Sequence, residues 1–82
     1  GGIIRVEGHT DNVPVGFSER FRSNWDLSSA RSASVANYLI DNTNLEPGRL
    51  SVSGFADSKP VASNDTAEGR ARNRRIEVIV DG

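Results

Sequence analysis

The sequence predicts an α+β domain: a two-layer sandwich in which helices cover one face of a single β-sheet. Three observations carry this. Three segments alternate apolar and polar residues with the period of a half-buried strand, namely Ile4-Arg5-Val6-Glu7, Leu50-Ser51-Val52-Ser53, and Ile76-Glu77-Val78 continuing to Val80 and Asp81. Between the first two lies a run whose apolar residues Ala33, Ala36, Leu39 and Ile40, with Val35 beside them, recur at helical spacing. The chain has 82 residues, enough for one domain (1–82) holding one sheet and about two helices.

In chain order, the first strand runs into Gly8, which predicts a bulge or a close approach by another element. Thr10-Asp11-Asn12 then reads as a turn, placing the Asp11 carboxylate at a strand exit, fixed and reachable. The stretch from Asn12 to about Trp25 fits neither period. It contains Pro14 and Gly16 and is apolar enough, through Phe17, Phe21 and Trp25, to be pinned to the body by its aromatics.

The long helix is expected to start with Ser28 as N-cap and to end near Asp41-Asn42. On that assignment Arg31 falls in the first turn, where a cation opposes the helix dipole. A carboxylate partner, either Asp11 or a ligand, would explain it; a solvated arginine is the alternative. Pro47-Gly48 marks a turn, the second strand ends at Gly54, and Ala56 to Ala67 reads as loop. A short helix follows, capped by Thr66 with Glu68 in its first turn, and the third strand closes the chain with Ile79 facing opposite to Val78 and Val80.

Ten Lys and Arg oppose eleven Asp and Glu, so no global field recruits nucleic acid or an acidic membrane. Arg70, Arg72, Arg74 and Arg75 form the densest charge, but Glu68 and Glu77 flank them and no aromatic interleaves; a structural network or a carboxylate site fits better than a nucleic-acid grip. The absence of cysteine excludes disulfides and thiolate metal sites. Glu7, His9 and Asp11 share i, i+2, i+4 spacing and are candidate metal ligands, yet the chain has one histidine and no further nitrogen donor of that kind. No Gly-x-Ser-x-Gly elbow frames a nucleophile. What remains is a binding site with an acid at a strand end and arginines brought from elsewhere, suited to a zwitterion whose ammonium meets Asp11 and whose carboxylate meets Arg31. Both charges read as site groups standing outside the core.

Val6-Glu7-Gly8-His9-Thr10-Asp11, the block Asn24-Trp25-Asp26-Leu27-Ser28-Ser29-Ala30-Arg31, and Arg70-Ala71-Arg72-Asn73-Arg74-Arg75-Ile76-Glu77, with Gly54, Pro60 and Asn64 between them, together resemble the peptidoglycan-binding domain shared by outer-membrane protein OmpA, the lipoprotein Pal and the flagellar stator protein MotB. The likeness covers nearly the whole chain. The insertion between Asp11 and Asn24 is similar to the MotB-type branch. The resemblance implies helices on one face of a mixed sheet, and a non-enzymatic, cofactor-free and metal-free site in which Asp11 and Arg31 hold the diaminopimelate of the peptidoglycan stem, with Thr10, Asn24, Leu27 and Arg75 lining or supporting it. It further implies a periplasmic domain and, in the parent protein, an inner-membrane segment joined to a channel-forming stator partner. Two departures stand out. The family's first strand and helix are expected to be missing, leaving an exposed sheet edge and an uncovered apolar face that invite homodimerisation. Ser32 stands where the family more often has Ala. The alternatives are a general OmpA- or Pal-like wall tether and a metal-dependent wall hydrolase using Glu7, His9 and Asp11.

Overall fold

The computed structural model describes residues 2–16 and 20–82. Among them lie β1 (Ile3–His9), α1 (Asn24–Asn42), a 3-10 turn (Pro47–Arg49), β2 (Leu50–Gly54), α2 (Ala67–Asn73) and β3 (Arg75–Asp81). The sheet order is β2-β1-β3, with β1 parallel to β2 and antiparallel to β3. A parallel pair needs a crossover, which α1 supplies. The sheet is therefore mixed, as the resemblance implied, and the class is α+β, as the alternation predicted.

The register sorts the residues into two faces. Val6 stands opposite Val52 and Val78, Ile4 opposite Leu50 and Val80, and Gly8 opposite Gly54 and Ile76. This face meets α1. A Cβ added to Gly8 would lie 2.3 Å from the Ser28 carbonyl oxygen, and one added to Gly54 would lie 2.2 Å from Ser29 Oγ. The two glycines let the helix backbone approach the sheet more closely than any side chain would allow. Gly8 is thus the predicted close approach, inside an unbroken strand.

That close approach decides which helical residues are buried. They are Ser28, Ser32 and Ala36, whereas Ala33, expected inside by its apolar character, is exposed. Small side chains fit above the glycines, and the hydroxyls are satisfied on backbone: Ser32 Oγ donates to the Ser53 carbonyl at 2.8 Å, and Ser28 Oγ donates to the Trp25 carbonyl at 3.2 Å. Val35, Leu39 and Ile40 are half-buried along the flanks.

The helix also starts earlier than expected. Its N-cap is Ser23, whose Oγ accepts from the Asp26 amide at 3.3 Å, and Ser28 lies in the interior. Arg31 consequently sits at the end of the second turn, where the dipole no longer opposes it. Trp25 belongs to the helix, is 54% exposed, and lines a hollow together with Pro14 and Val15 of the preceding loop. Phe21 is half-buried with the Arg20 guanidinium 5.2 Å from its ring centroid; Phe17 lies outside the described residues. The Thr66 cap and Glu68 in the first turn of α2 match the expectation.

Polar bonding holds the loop from Ala56 to Thr66. Fully buried Asn73 accepts from the Val61 and Ala62 amides and donates to the Ala62 carbonyl and to Asn64 Oδ1. On the β3 side the helix-facing surface is open, with Val78 and Val80 at 50% and 68% exposure. The expected uncovered apolar surface is present there.

Candidate functional site

Asp11 follows the end of β1 and is buried. Its backbone is fixed from three directions. The Thr10 amide donates to the Ala56 carbonyl at 2.8 Å, Thr10 Oγ1 donates to the Asp11 carbonyl at 2.8 Å, and Asn24 Nδ2 donates to the carbonyls of Asp11 and Val13 at 3.3 and 3.1 Å. Ala56 is the pivot. It is buried in the left-handed region, with φ of 53°, a conformation that costs a side-chain-bearing residue about 1–2 kcal/mol. Its amide donates to Ser28 Oγ at 3.0 Å, so the interior of α1 holds the residue whose carbonyl holds Thr10.

The carboxylate itself has two partners. Oδ1 accepts from the Val13 amide at 3.0 Å, closing an Asx turn. Oδ2 accepts from Arg74 Nη1 at 2.7 Å. A carboxylate offers about four lone-pair sites, so Asp11 retains acceptor capacity for a cation arriving from solvent.

Arg31 is disposed differently. With Leu27, Arg20, Phe21 and Ser34 it lines a shallow hollow of about 250 Å³. Among the described residues its guanidinium makes no hydrogen bond or ion pair, and it is exposed. The structure therefore does not bring Arg31 onto Asp11. Asn24, Leu27 and Arg31 fall at i, i+3 and i+7 along one stripe of α1, the first two half-buried and Arg31 exposed, and helical side chains lean toward the N-terminus, which directs Arg31 back toward the Asn24 end.

Arg75 points elsewhere. Its Nε donates to Glu77 Oε2 at 2.6 Å, its Nη1 to the Asn73 carbonyl at 3.1 Å and its Nη2 to the Lys59 carbonyl at 3.0 Å. Arg74 is the C-cap of α2 whereas Arg75 is the first residue of β3, and of the two only Arg74 bonds Asp11. The pairing of His9 with Arg75 puts Arg75 on the far face. Sequence reasoning held Arg74 as one of the four clustered arginines of a structural network or carboxylate site and did not assign it to Asp11. The signal that could have found it is the junction of α2 with β3, which puts Arg74 on the helix cap and Arg75 in the strand.

On that far face His9 is 2% exposed, stacked on Phe55 with centroids 5.3 Å apart, and 3.6 Å from Glu77 Oε2. Neither ring nitrogen has a hydrogen-bond partner among the described residues. Burial first, and the Arg75 guanidinium second, hold the imidazole below the ordinary 6.5. Glu77 is held below 4.5, chiefly by the hydrogen bond from Arg75. Glu7 is paired with Arg5 at 3.6 Å, so Glu7, His9 and Asp11 each face a different neighbour, and the described residues gather no cluster of three metal-ligating side chains. Arg70 likewise donates to the Asn64 carbonyl. Three of the four clustered arginines, Arg70, Arg74 and Arg75, are thus engaged within the fold, the structural network anticipated from their flanking acids.

A second hollow, enclosing about 330 Å³, opens beside the Asp11 mount and is lined in part by Asn12, Arg22, Asn24, Trp25 and Asp57.

The OmpA family pattern matches residues 1–74. Motility protein B of Bacillus subtilis (strain 168) is 49% identical over 77 residues, which is 94% of this chain and 29% of that protein. The chain thus spans less than a third of that relative. Among solved structures, the cell wall anchor of the T6SS from Pseudomonas aeruginosa aligns with a TM-score of 0.85 at 48% identity, covering 94% of this chain and 52% of that one. The C-terminal domain of Helicobacter pylori MotB aligns with a TM-score of 0.88 at 34% identity, covering 98% of this chain and 59% of that one.

Proposed function

The chain belongs to the OmpA family, and from that premise we propose that it binds peptidoglycan non-covalently, through the diaminopimelate of the stem peptide, as a periplasmic anchor of a MotB-like flagellar stator. The supporting observation is the pairing of a fixed acid with a free base. Asp11 is immobilised by Thr10, Asn24, Val13 and Arg74, while Arg31, two turns along α1 from Asn24, has no partner of its own among the described residues. A zwitterion seated between them gives its ammonium to Asp11 and its carboxylate to the fork of Arg31.

Thr10 and Asn24 act by holding the Asp11 backbone, Leu27 lines the same hollow as Arg31, and Arg74 partly neutralises Asp11 through Oδ2. Arg75 contributes by bracing β3 against the Lys59 loop. No bond is made or broken, and the site acts as an anchor with no catalytic step. In the longer protein the partner is a channel-forming stator subunit in the inner membrane. The similarity to a T6SS wall anchor at nearly the same identity as to Motility protein B supports a second reading: the same wall-binding domain tethering a different envelope machine.

The test is co-sedimentation of the chain with insoluble peptidoglycan whose stems carry diaminopimelate, in parallel with wall carrying lysine at that position. Lysine keeps the ammonium and lacks the second carboxylate, so Arg31 has nothing to hold. Binding should be confined to the diaminopimelate wall; equal binding to both walls refutes the two-charge clamp.

A further inference from the structure

We infer that the His9–Phe55 stack on the far face of the sheet positions Asp11, by holding Ala56 in the left-handed turn whose carbonyl carries Thr10. The backbone around the stack departs from the sheet it continues. The Gly8–Gly54 register, extended by one residue, sets His9 beside Phe55; a regular parallel ladder would then bond the Phe55 amide to the Gly8 carbonyl and the Thr10 amide to the Phe55 carbonyl. The first bond is present, at 2.9 Å. The second is displaced by one residue: the Thr10 amide donates to the Ala56 carbonyl at 2.8 Å, and the Phe55 carbonyl accepts instead from the Ser58 amide at 3.1 Å and the Ser58 hydroxyl at 2.6 Å.

A turn over Phe55–Ser58, with Ala56 at its first central position, makes this displacement. A positive φ there favours glycine, asparagine or aspartate, yet the position holds Ala56, at 53° the one non-glycine residue with positive φ among the described residues. The strain pulls the turn toward the regular ladder, and Thr10 with Asp11 would follow the rung. Something must oppose that relaxation.

The His9 ring lies 5.3 Å from the Phe55 ring with 14° between their planes, and the Lys59 ammonium lies 4.2 Å from the centroid of the same ring. Both contacts grip the residue immediately before Ala56. Together they are of the same size as the conformational cost at Ala56, so they decide which way the turn sits. His9 is buried and neither of its nitrogens is hydrogen-bonded among the described residues; what it contributes is its plane. The Ala56 amide, on Ser28 Oγ at 3.0 Å, secures the turn from the α1 side. That Asp11 receives a wall ligand rests on the reading above, whereas the hold on Ala56 stands without it.

Phe55→Leu removes the ring and both of its contacts while keeping an apolar side chain. Two quantities are measured: affinity for diaminopimelate-bearing wall by co-sedimentation, and the backbone chemical shifts of residue 56, which report its φ with no ligand present. Phe55→Leu should weaken wall binding about tenfold and move the Ala56 shifts toward extended values. Adding Ala56→Gly, which lifts the penalty on the left-handed turn, should bring binding back to within about threefold of the wild type. A ring that served only to fill space would not be replaced by deleting a methyl group elsewhere. His9→Leu, which takes away the partner ring alone, should show the same pattern at about threefold, and it decides the matter where Phe55→Leu does not fold. Unchanged Ala56 shifts in the single variants, or a loss of binding that Ala56→Gly does not recover, overturns the positioning role. If the wild type itself does not sediment with wall, the wall-binding reading falls, and the Ala56 shifts alone decide whether the stack holds the turn.

Discussion

Along α1, the face carrying Ser28, Ser32 and Ala36 is sealed against the sheet, whereas the stripe carrying Leu27, Arg31 and Ser34 borders open solvent. The sealed face has no large side chain. It works by backbone approach over Gly8 and Gly54, and each buried hydroxyl bonds a carbonyl or an amide. The open face holds an unpaired guanidinium among the described residues. One helix therefore separates two requirements: rigidity, which comes from close approach and saturated polar groups, and recognition, which needs charge left unsatisfied. Asp11 sits on the rigid side of this division, since it is itself buried and the Val13 amide and Arg74 guanidinium hold it while acceptor capacity remains. The reading of Asp11 as a group outside the core is corrected accordingly: its removal strands the Val13 amide and the Arg74 guanidinium.

The largest expected effect comes from breaking the sealed face. Gly8→Ala places a methyl 2.3 Å from the Ser28 carbonyl oxygen and 2.5 Å from Ser32 Oγ, so α1 must lift and the Ser28 bond to Ala56 must stretch. Overpacking of this kind costs about 1–3 kcal/mol, and more where backbone is the obstacle. A domain of 82 residues has roughly 4–12 kcal/mol in total. Urea unfolding should show a loss of about 3 kcal/mol; a loss under 0.5 kcal/mol would mean that the helix does not rest on Gly8.

A smaller effect, confined to a pH window, comes from the far side of the sheet. His9 is buried with its pKa lowered, facing Glu77 and Arg75 on β3, Glu7 on β1, and Phe55 and Lys59 from the following loop. As pH falls below 6.5 the unfolded chain takes up a proton that the folded imidazole still refuses. Stability therefore falls from about pH 6.5 down to the folded pKa and levels off below it. Glu77 contributes in a separate window: its lowered pKa gives stability present above 4.5 and lost as pH falls through the lower folded value. Between pH 7.5 and 5.5 the slope belongs to His9. His9→Phe, which keeps the stack on Phe55, should flatten urea midpoints over that range; an unchanged slope would assign it to another group.

How much of this was legible in the sequence follows the same division. The three strands, Gly54 as a strand end, the Thr66 cap and the exit position of Asp11 were readable because each depends on local pattern. The start of α1 was not: Ser23 and Ser28 are both plausible caps by type, and only the glycine pair on the sheet decides that Ser28 is wanted inside. That Arg74 and not Arg75 meets Asp11 depends on where α2 ends and β3 begins: Arg74 caps the helix, while Arg75 enters the strand opposite His9. The exposure of Trp25 was hidden because an indole in a small domain is expected to pack.

The smallest expected change in stability is at Arg31, and it sharpens the comparison most. Alanine there removes a side chain with no recorded partner and replaces it with the strongest helix former, so the unfolding midpoint should move by less than about 0.5 kcal/mol. Binding to diaminopimelate-bearing wall should nevertheless be lost, because the ligand carboxylate would be desolvated without a counter-charge. Asp11→Ala should also abolish binding, but with a measurable loss of stability, since Val13 and Arg74 lose their acceptor. If Arg31→Ala destabilises the chain as much as Asp11→Ala does, Arg31 has a partner within the fold, and the open face of α1 is part of the structure rather than a surface kept for a ligand.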